Sequence, residues 1–179
     1  MTAEQIIRFF KMQPLRQEGG FYIETYRAPE LLKKEVLLAS AKPSGKAGPP
    51  GFPADRNLAS TILYLLTAKT ISLLHRLKSD EMFHFYLGDA VTMLQLYPDG
   101  RSELFALGHD ILAGQKVQVL VPKGVWQGAF VRPGGKFALM GCTVSPAFDE
   151  NDFETGDRDT LLNQYPDLRE YILKLTRAD

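Results

Sequence analysis

The 179-residue chain is long enough for one well-buried domain and short for two. Lysine plus arginine and aspartate plus glutamate both number 21 with no long run of either sign, which argues against a nucleic-acid binder or a protein held on an anionic membrane. No apolar stretch approaches the roughly 20 residues that span a bilayer, so a globular protein of the cytosol is expected.

Thr2 is a candidate N-cap for a short helix in which Ile6, Ile7, Phe9 and Phe10 form an apolar stripe up to about Lys11. Charges interrupt that stripe, so it reads as a helix and not as a signal peptide, and Pro14 closes it. From Phe21 the period changes to two, and Phe21-Tyr22-Ile23-Glu24-Thr25-Tyr26-Arg27 predicts a strand. Glu35-Val36-Leu37-Leu38-Ala39 is a candidate for another. Residues 40–56 hold Pro43, Gly45, Gly48, Pro49, Pro50, Gly51 and Pro53, which predicts a loop, read as a solvated insertion in preference to a lid.

Strands follow at Thr61 to Leu66, Ile71 to Leu77, Glu81 to Leu87, Val91 to Tyr97, Ser102 to Leu107, Val117 to Val121, Gln127 to Val131 and Phe137 to Val144. Turn signals such as Gly88-Asp89, Pro98-Asp99-Gly100 and Pro133-Gly134-Gly135 separate them. Many short strands without intervening helices predict a mainly β sandwich or barrel over about residues 20–148. After Phe148 an acidic segment leads into a helical tail over about residues 155–176, broken near Pro166 and packed outside the barrel. The whole chain is read as one domain. The single cysteine, Cys142, excludes an internal disulfide and a Cys-rich zinc site, and its apolar neighbours predict a small buried side chain.

The chemistry concentrates around His75. It ends one strand, Lys78-Ser79-Asp80 makes a turn, and Glu81 opens the next strand, so a hairpin brings imidazole and carboxylate to one end of the barrel. Such a pair suits metal ligation, or a base with its orienting partner. His84 lies three residues after Glu81, on the opposite strand face, and is read as a structural imidazole; His109 is read as an exposed turn residue. Phe83, Phe85, Tyr64 and Trp126 either line a cavity or fill the core, and the polar Gln127 beside Trp126 favours a cavity. Arg76 and Lys78 are candidate anion contacts or solvated cations.

These residues carry a resemblance to the cupin superfamily. His75, Glu81 and Gly88 match its first motif, with Leu77 where a second histidine belongs. Pro122-Lys123-Gly124-Val125-Trp126-Gln127 matches the start of its second motif, with Gln127 in the histidine position and Val131 in the asparagine position. With Glu18-Gly19-Gly20-Phe21, His84-Phe85-Tyr86 and Gly141-Cys142-Thr143-Val144-Ser145-Pro146, the chain is similar over most of its length to the cupin-5 family, whose function is unassigned. The resemblance implies a double-stranded β-helix (cupin, or jelly-roll, barrel) and a homodimer, with the strand around Phe21 a candidate for exchange between subunits.

Metal-dependent cupins hold iron, manganese, nickel or zinc with three histidines and a glutamate. Two of those imidazoles are replaced here, so no cofactor is expected; a divalent metal, if bound, would use His75, Glu81 and Gln127. The segment Gly19 to Thr25 also resembles a strand of the dTDP-sugar 3,5-epimerases, which makes Phe21 and Glu24 candidate ligand contacts and His75 a candidate base. Gly19 stands where those enzymes have a phosphate-binding arginine, and Met140 is nearest to their catalytic tyrosine. The leading expectation is a cupin that binds a small polar, sugar- or nucleotide-like molecule, with His75 and Glu81 catalytic in an isomerase-type proton transfer. Gln127, Phe21, Glu24, Phe83 and Trp126 would then contact the ligand. The alternatives are a non-catalytic binder with the same pocket and a metal-dependent enzyme with a reduced ligand set.

Overall fold

Along the strands after Ser60 alternate side chains face inward, and burying those apolar faces draws two antiparallel sheets together over a shared core. The computed structural model describes residues 1–40 and 52–177, so most of the predicted loop at residues 40–56 lies outside the described residues. The elements are α1 (Ala3–Phe10), β1 (Gln13–Pro14), β2 (Phe21–Arg27), β3 (Leu31–Leu32), α2 (Lys34–Ser40), β4 (Arg56–Asn57), β5 (Ser60–Thr67), β6 (Ile71–Leu77) and β7 (Asp80–Gly88). They continue with β8 (Val91–Leu96), β9 (Ser102–Leu107), β10 (Gln118–Val121), β11 (Trp126–Val131), β12 (Phe137–Ser145), β13 (Phe153–Thr155), α3 (Arg158–Gln164) and α4 (Arg169–Leu175). One sheet has the order β1-β2-β5-β12-β7-β10, the other β13-β6-β11-β8-β9, and β3 pairs with β4. This is the jelly-roll arrangement. The strand β2 is paired on both sides within its own chain, to β1 and β5.

Three apolar clusters hold the layers. Between the sheets lie Tyr64, Leu66, Phe83, Phe85, Met93 and Met140 with their neighbours. Outside the first sheet α1 packs Ala3 and Ile6 against Leu65, Phe137 and Leu139. Outside the second, the C-terminal helices set Leu161, Ile172 and Leu175 on Leu74, Leu94 and Phe130. Those three helix residues are almost fully buried, and each contributes about 1.5–3 kcal/mol to docking the tail. The tail breaks at the turn Pro166–Leu168, where proline lacks an amide to continue α3.

The N-terminal helix starts as read, with a reciprocal capping box between Thr2 and Gln5. The segment around Glu35–Ala39, in contrast, is helical and not a strand. Its Lys, Glu, Leu and Ala are good helix formers, and the Asp55 carboxylate accepts the Lys34 N–H at 2.8 Å. That acceptor lies some twenty residues along the chain, beyond the reach of a local pattern.

The strap between β1 and β2 carries Glu18 across the edge of β6. Leu15 donates to the Gly20 carbonyl at 3.0 Å, Gly19 to that of Leu15 at 2.6 Å, and Leu73 of β6 to that of Glu18 at 2.9 Å. Gly19 has φ +110°, and a Cβ there would sit 2.1 Å from the Ile71 carbonyl oxygen. Only glycine lets the strap lie this close to β6.

Candidate functional site

Strand alternation aims Glu81, Phe83 and Phe85 of β7 into the barrel and leaves Met82 and His84 outside. On β11 the same rule turns Gln127, Ala129 and Val131 inward and Trp126 and Phe130 outward. Gln127 pairs in register with His75 of β6, and Glu81 with Val144 of β12. Strand pairing thus gathers the imidazole, the carboxyl and the amide at one end of the barrel. There a cavity of about 670 Å³ opens, lined among others by Glu18, Tyr22, His75, Glu81, Cys142 and Phe153.

His75 is 1% exposed. Its Nδ1 lies 2.7 Å from the Leu73 carbonyl oxygen, which can only accept, so Nδ1 carries the proton and neutral His75 keeps a lone pair on Nε2. The ring stacks on Phe153 with centroids 5.0 Å apart. Its Nε2 stands 3.7 Å from Oε2 of Glu18, whose other oxygen accepts from Ser72 at 2.7 Å.

Gln127 Nε2 donates to Glu81 Oε2, leaving the buried Gln127 Oε1 without a hydrogen-bond partner. Burial first, then the charge of Glu18, push the Glu81 carboxyl up to about 7, against the opposing influence of His75, Gln127 and Cys142. Cys142 is buried as read, but its thiol faces Glu81; burial and that neighbouring charge push it well above its ordinary value and keep it protonated. One cavity therefore holds an imidazole whose Nε2 is the nitrogen that can take a proton, and a carboxyl that is close to half protonated near neutrality.

Several predicted contacts fall elsewhere. Trp126 is turned out of the barrel because Gln127 is turned in, and it packs with the C-terminal helices under Arg76, whose guanidinium lies 4.4 Å from the ring centroid. Phe21 packs with the α1 cluster outside the first sheet. Phe83, with Phe85 and Tyr64, fills the core and does not wall the cavity. Glu24 does line the mouth, where it holds Arg27 through bonds of 2.7–3.2 Å. His84 bonds Gln118 at 3.2 Å outside the barrel, and His109 is exposed. Arg76 is paired with Glu154 at 2.8 Å, and Lys78 lies 3.6 Å from Asp152.

Among the cavity residues that escape sequence reasoning are Glu18 and Phe153. Glu18 had one signal, the Gly19-Gly20 pair after it, which marks a chain passing close over another strand. Phe153 sits on a three-residue strand bonded to β6, too short to carry a period of two.

The donor set does not fit a three-histidine, one-glutamate metal centre. Leu77 offers the cavity only hydrocarbon, and the Gln127 amide turns its NH2 toward Glu81. Among the described residues no group of three His, Cys, Asp or Glu side chains is placed to hold a metal ion. Among the same residues no helix is long and apolar enough to cross a membrane.

The chain matches the family Cupin_5, described as cupin superfamily (DUF985), over residues 4–156. It is 30% identical to Uncharacterized protein YML079W of Saccharomyces cerevisiae over 155 residues, 84% of this chain and 73% of that one. Among solved structures it is similar to protein SO0799 from Shewanella oneidensis, with a TM-score of 0.81 and 34% identity over 100% of this chain and 99% of the other. A hypothetical protein from Leishmania major gives a TM-score of 0.81 at 28% identity, over 99% of this chain and 100% of that one. An oxalate decarboxylase from Bacillus subtilis shares the fold alone, with a TM-score of 0.50 and 15% identity over 90% of this chain and 37% of the other.

Proposed function

The chain belongs to the Cupin_5 family of the cupin superfamily, and from that premise we propose that it binds a small polar, sugar-like molecule in the barrel and moves a proton on it without a metal. His75 Nε2 is the base and Glu81 the acid. The observation that carries this reading is their shared cavity: Leu73 fixes the proton on Nδ1 of the imidazole, and burial beside Glu18 holds a proton on Glu81 near neutrality. Glu18 positions the pair, since its carboxylate faces the nitrogen that becomes charged when His75 takes a proton. The nucleotide part of an epimerase-like reading lacks support, because Phe21 faces α1 and Gly19 supplies no cation. A sugar without the nucleotide fits the cavity's chemistry better.

The test begins with a melting-temperature screen of sugars and sugar acids on chelator-treated protein, because a ligand that binds only the folded state raises that temperature. Any compound that does so is then incubated in deuterated solvent and followed by proton NMR. We expect a C–H proton to exchange, and His75→Ala to slow the exchange by about 10²–10⁴-fold. A bound compound whose C–H protons persist unchanged would reduce the protein to a binder.

A further inference from the structure

Resting on the same binding reading, we propose that this cavity selects its ligand by charge: it takes a polar molecule bearing an ammonium group and excludes phosphate esters and carboxylates. Five carboxyls line the cavity, those of Glu18, Glu24, Glu81, Asp149 and Glu150, against the guanidiniums of Arg16 and Arg27. Arg27 is already consumed. Its Nε and Nη2 donate to Glu24, and its Nη1 donates to the Phe148 carbonyl at 3.2 Å. Nearby Arg56 is 4% exposed and is held by Asp152 and, at 3.6 Å, by Asp149, so with Glu24 and Asp149 paired the carboxyls without a cationic partner from arginine are those of Glu18, Glu81 and Glu150. Among the described lining residues, an incoming phosphate would therefore meet one guanidinium not already held by a carboxylate, that of Arg16.

The deep end is more one-sided still. Glu18 and Glu81 both face the cavity there, with the His75 ring as the titratable group of opposite sign. Beside Glu81 the amide oxygen of Gln127, 2% exposed, lacks a donor. Two carboxyls in one hollow are relieved by N–H groups carrying positive charge and worsened by an anion. The same repulsion is visible in the raised Glu81 carboxyl, for which Glu18 is the second cause after burial.

Three hexoses that differ mainly in charge test the idea: glucosamine, glucose and glucose 6-phosphate. Each is titrated by calorimetry against the full chain at about pH 6.5. We expect glucosamine to bind at least about tenfold tighter than glucose, and glucose 6-phosphate at least about tenfold weaker. Glu18→Gln keeps an acceptor for Ser72 and should shrink the glucosamine advantage to less than about threefold. Equal or tighter binding of the phosphate ester overturns the charge selection while leaving the binding reading intact. An undiminished advantage in Glu18→Gln likewise overturns it. Failure of all three sugars to bind removes the sugar-binding reading and the selection together.

Discussion

Glu81→Gln is expected to match the parent protein's stability below about pH 4 and to exceed it by about 2–4 kcal/mol above about pH 8. The Glu81 carboxyl goes from an ordinary value of 4.5 to about 7 in the fold, with burial the largest cause. Between those values the native state holds a proton that the unfolded chain has lost. Stability contributed by the protonated form is fully present below the unfolded value and drains away as pH rises through the folded one. Glutamine keeps the neutral shape at every pH and can still accept from Gln127, so it escapes the loss. Urea denaturation of both proteins at four pH values across that window measures the divergence. Parallel curves for variant and parent would show that Glu81 titrates as an exposed acid does. The same variant has no transferable proton, so any catalysed C–H exchange should disappear as stability rises.

Removing one partner of the Arg56–Asp152 pair is expected to cost about 3–5 kcal/mol. Arg56 Nε lies 2.6 Å and Nη2 3.0 Å from the two carboxylate oxygens, and the side chains are 4% and 3% exposed. The third nitrogen donates to the carbonyls of Ala54 and Asp55. Asp152→Ala therefore leaves a guanidinium that water does not reach with only the more distant Asp149 carboxylate, 3.6 Å away, whereas replacing Arg56 and Asp152 together by Met and Leu should restore much of the loss. Beyond stability, the pair anchors the turn that delivers Phe153 to the face of His75 and Asp149 and Glu150 to the cavity wall. Ligand affinity should fall with Asp152→Ala even under conditions where the protein is fully folded. A chemical-denaturation loss under about 1 kcal/mol would mean that the buried pair is not coupled to the fold.

The barrel was legible because its cause is local and repeated. Alternating apolar residues bounded by Gly and Pro turns placed β2, β6 and β9 with the observed ends and β5, β7, β8, β10, β11 and β12 within one residue at each end, while the two- and three-residue strands β1, β3, β4 and β13 are too short to show a period. His75 and Glu81 were legible for a related reason: a connection of only Lys78 and Ser79 between β6 and β7, one residue shorter than the turn expected, leaves little freedom in where the adjoining side chains point. Trp126 was misplaced by adjacency. Neighbours on a strand face opposite ways, so an inward Gln127 required an outward Trp126, and the choice between them is made by the helices that cover Trp126. Phe21 met the same fate through α1. Glu18 reaches the cavity only because the strap crosses β6, a contact between residues more than fifty apart that no periodicity records. The helix at Lys34–Ser40 depends on a cap from Asp55 in the same way.

Whether the cavity holds a proton donor and a proton acceptor side by side can be read without knowing the ligand. Protein labelled with carbon-13 at glutamate side-chain carboxyls and nitrogen-15 at histidine rings is titrated by NMR, with Glu81→Gln identifying the Glu81 resonance. The expected result is a carboxyl midpoint near 7 for Glu81, together with a His75 ring whose neutral form carries its proton on Nδ1. A Glu81 midpoint near 4.5, or a His75 ring protonated on Nε2 when neutral, would contradict the acid–base assignment.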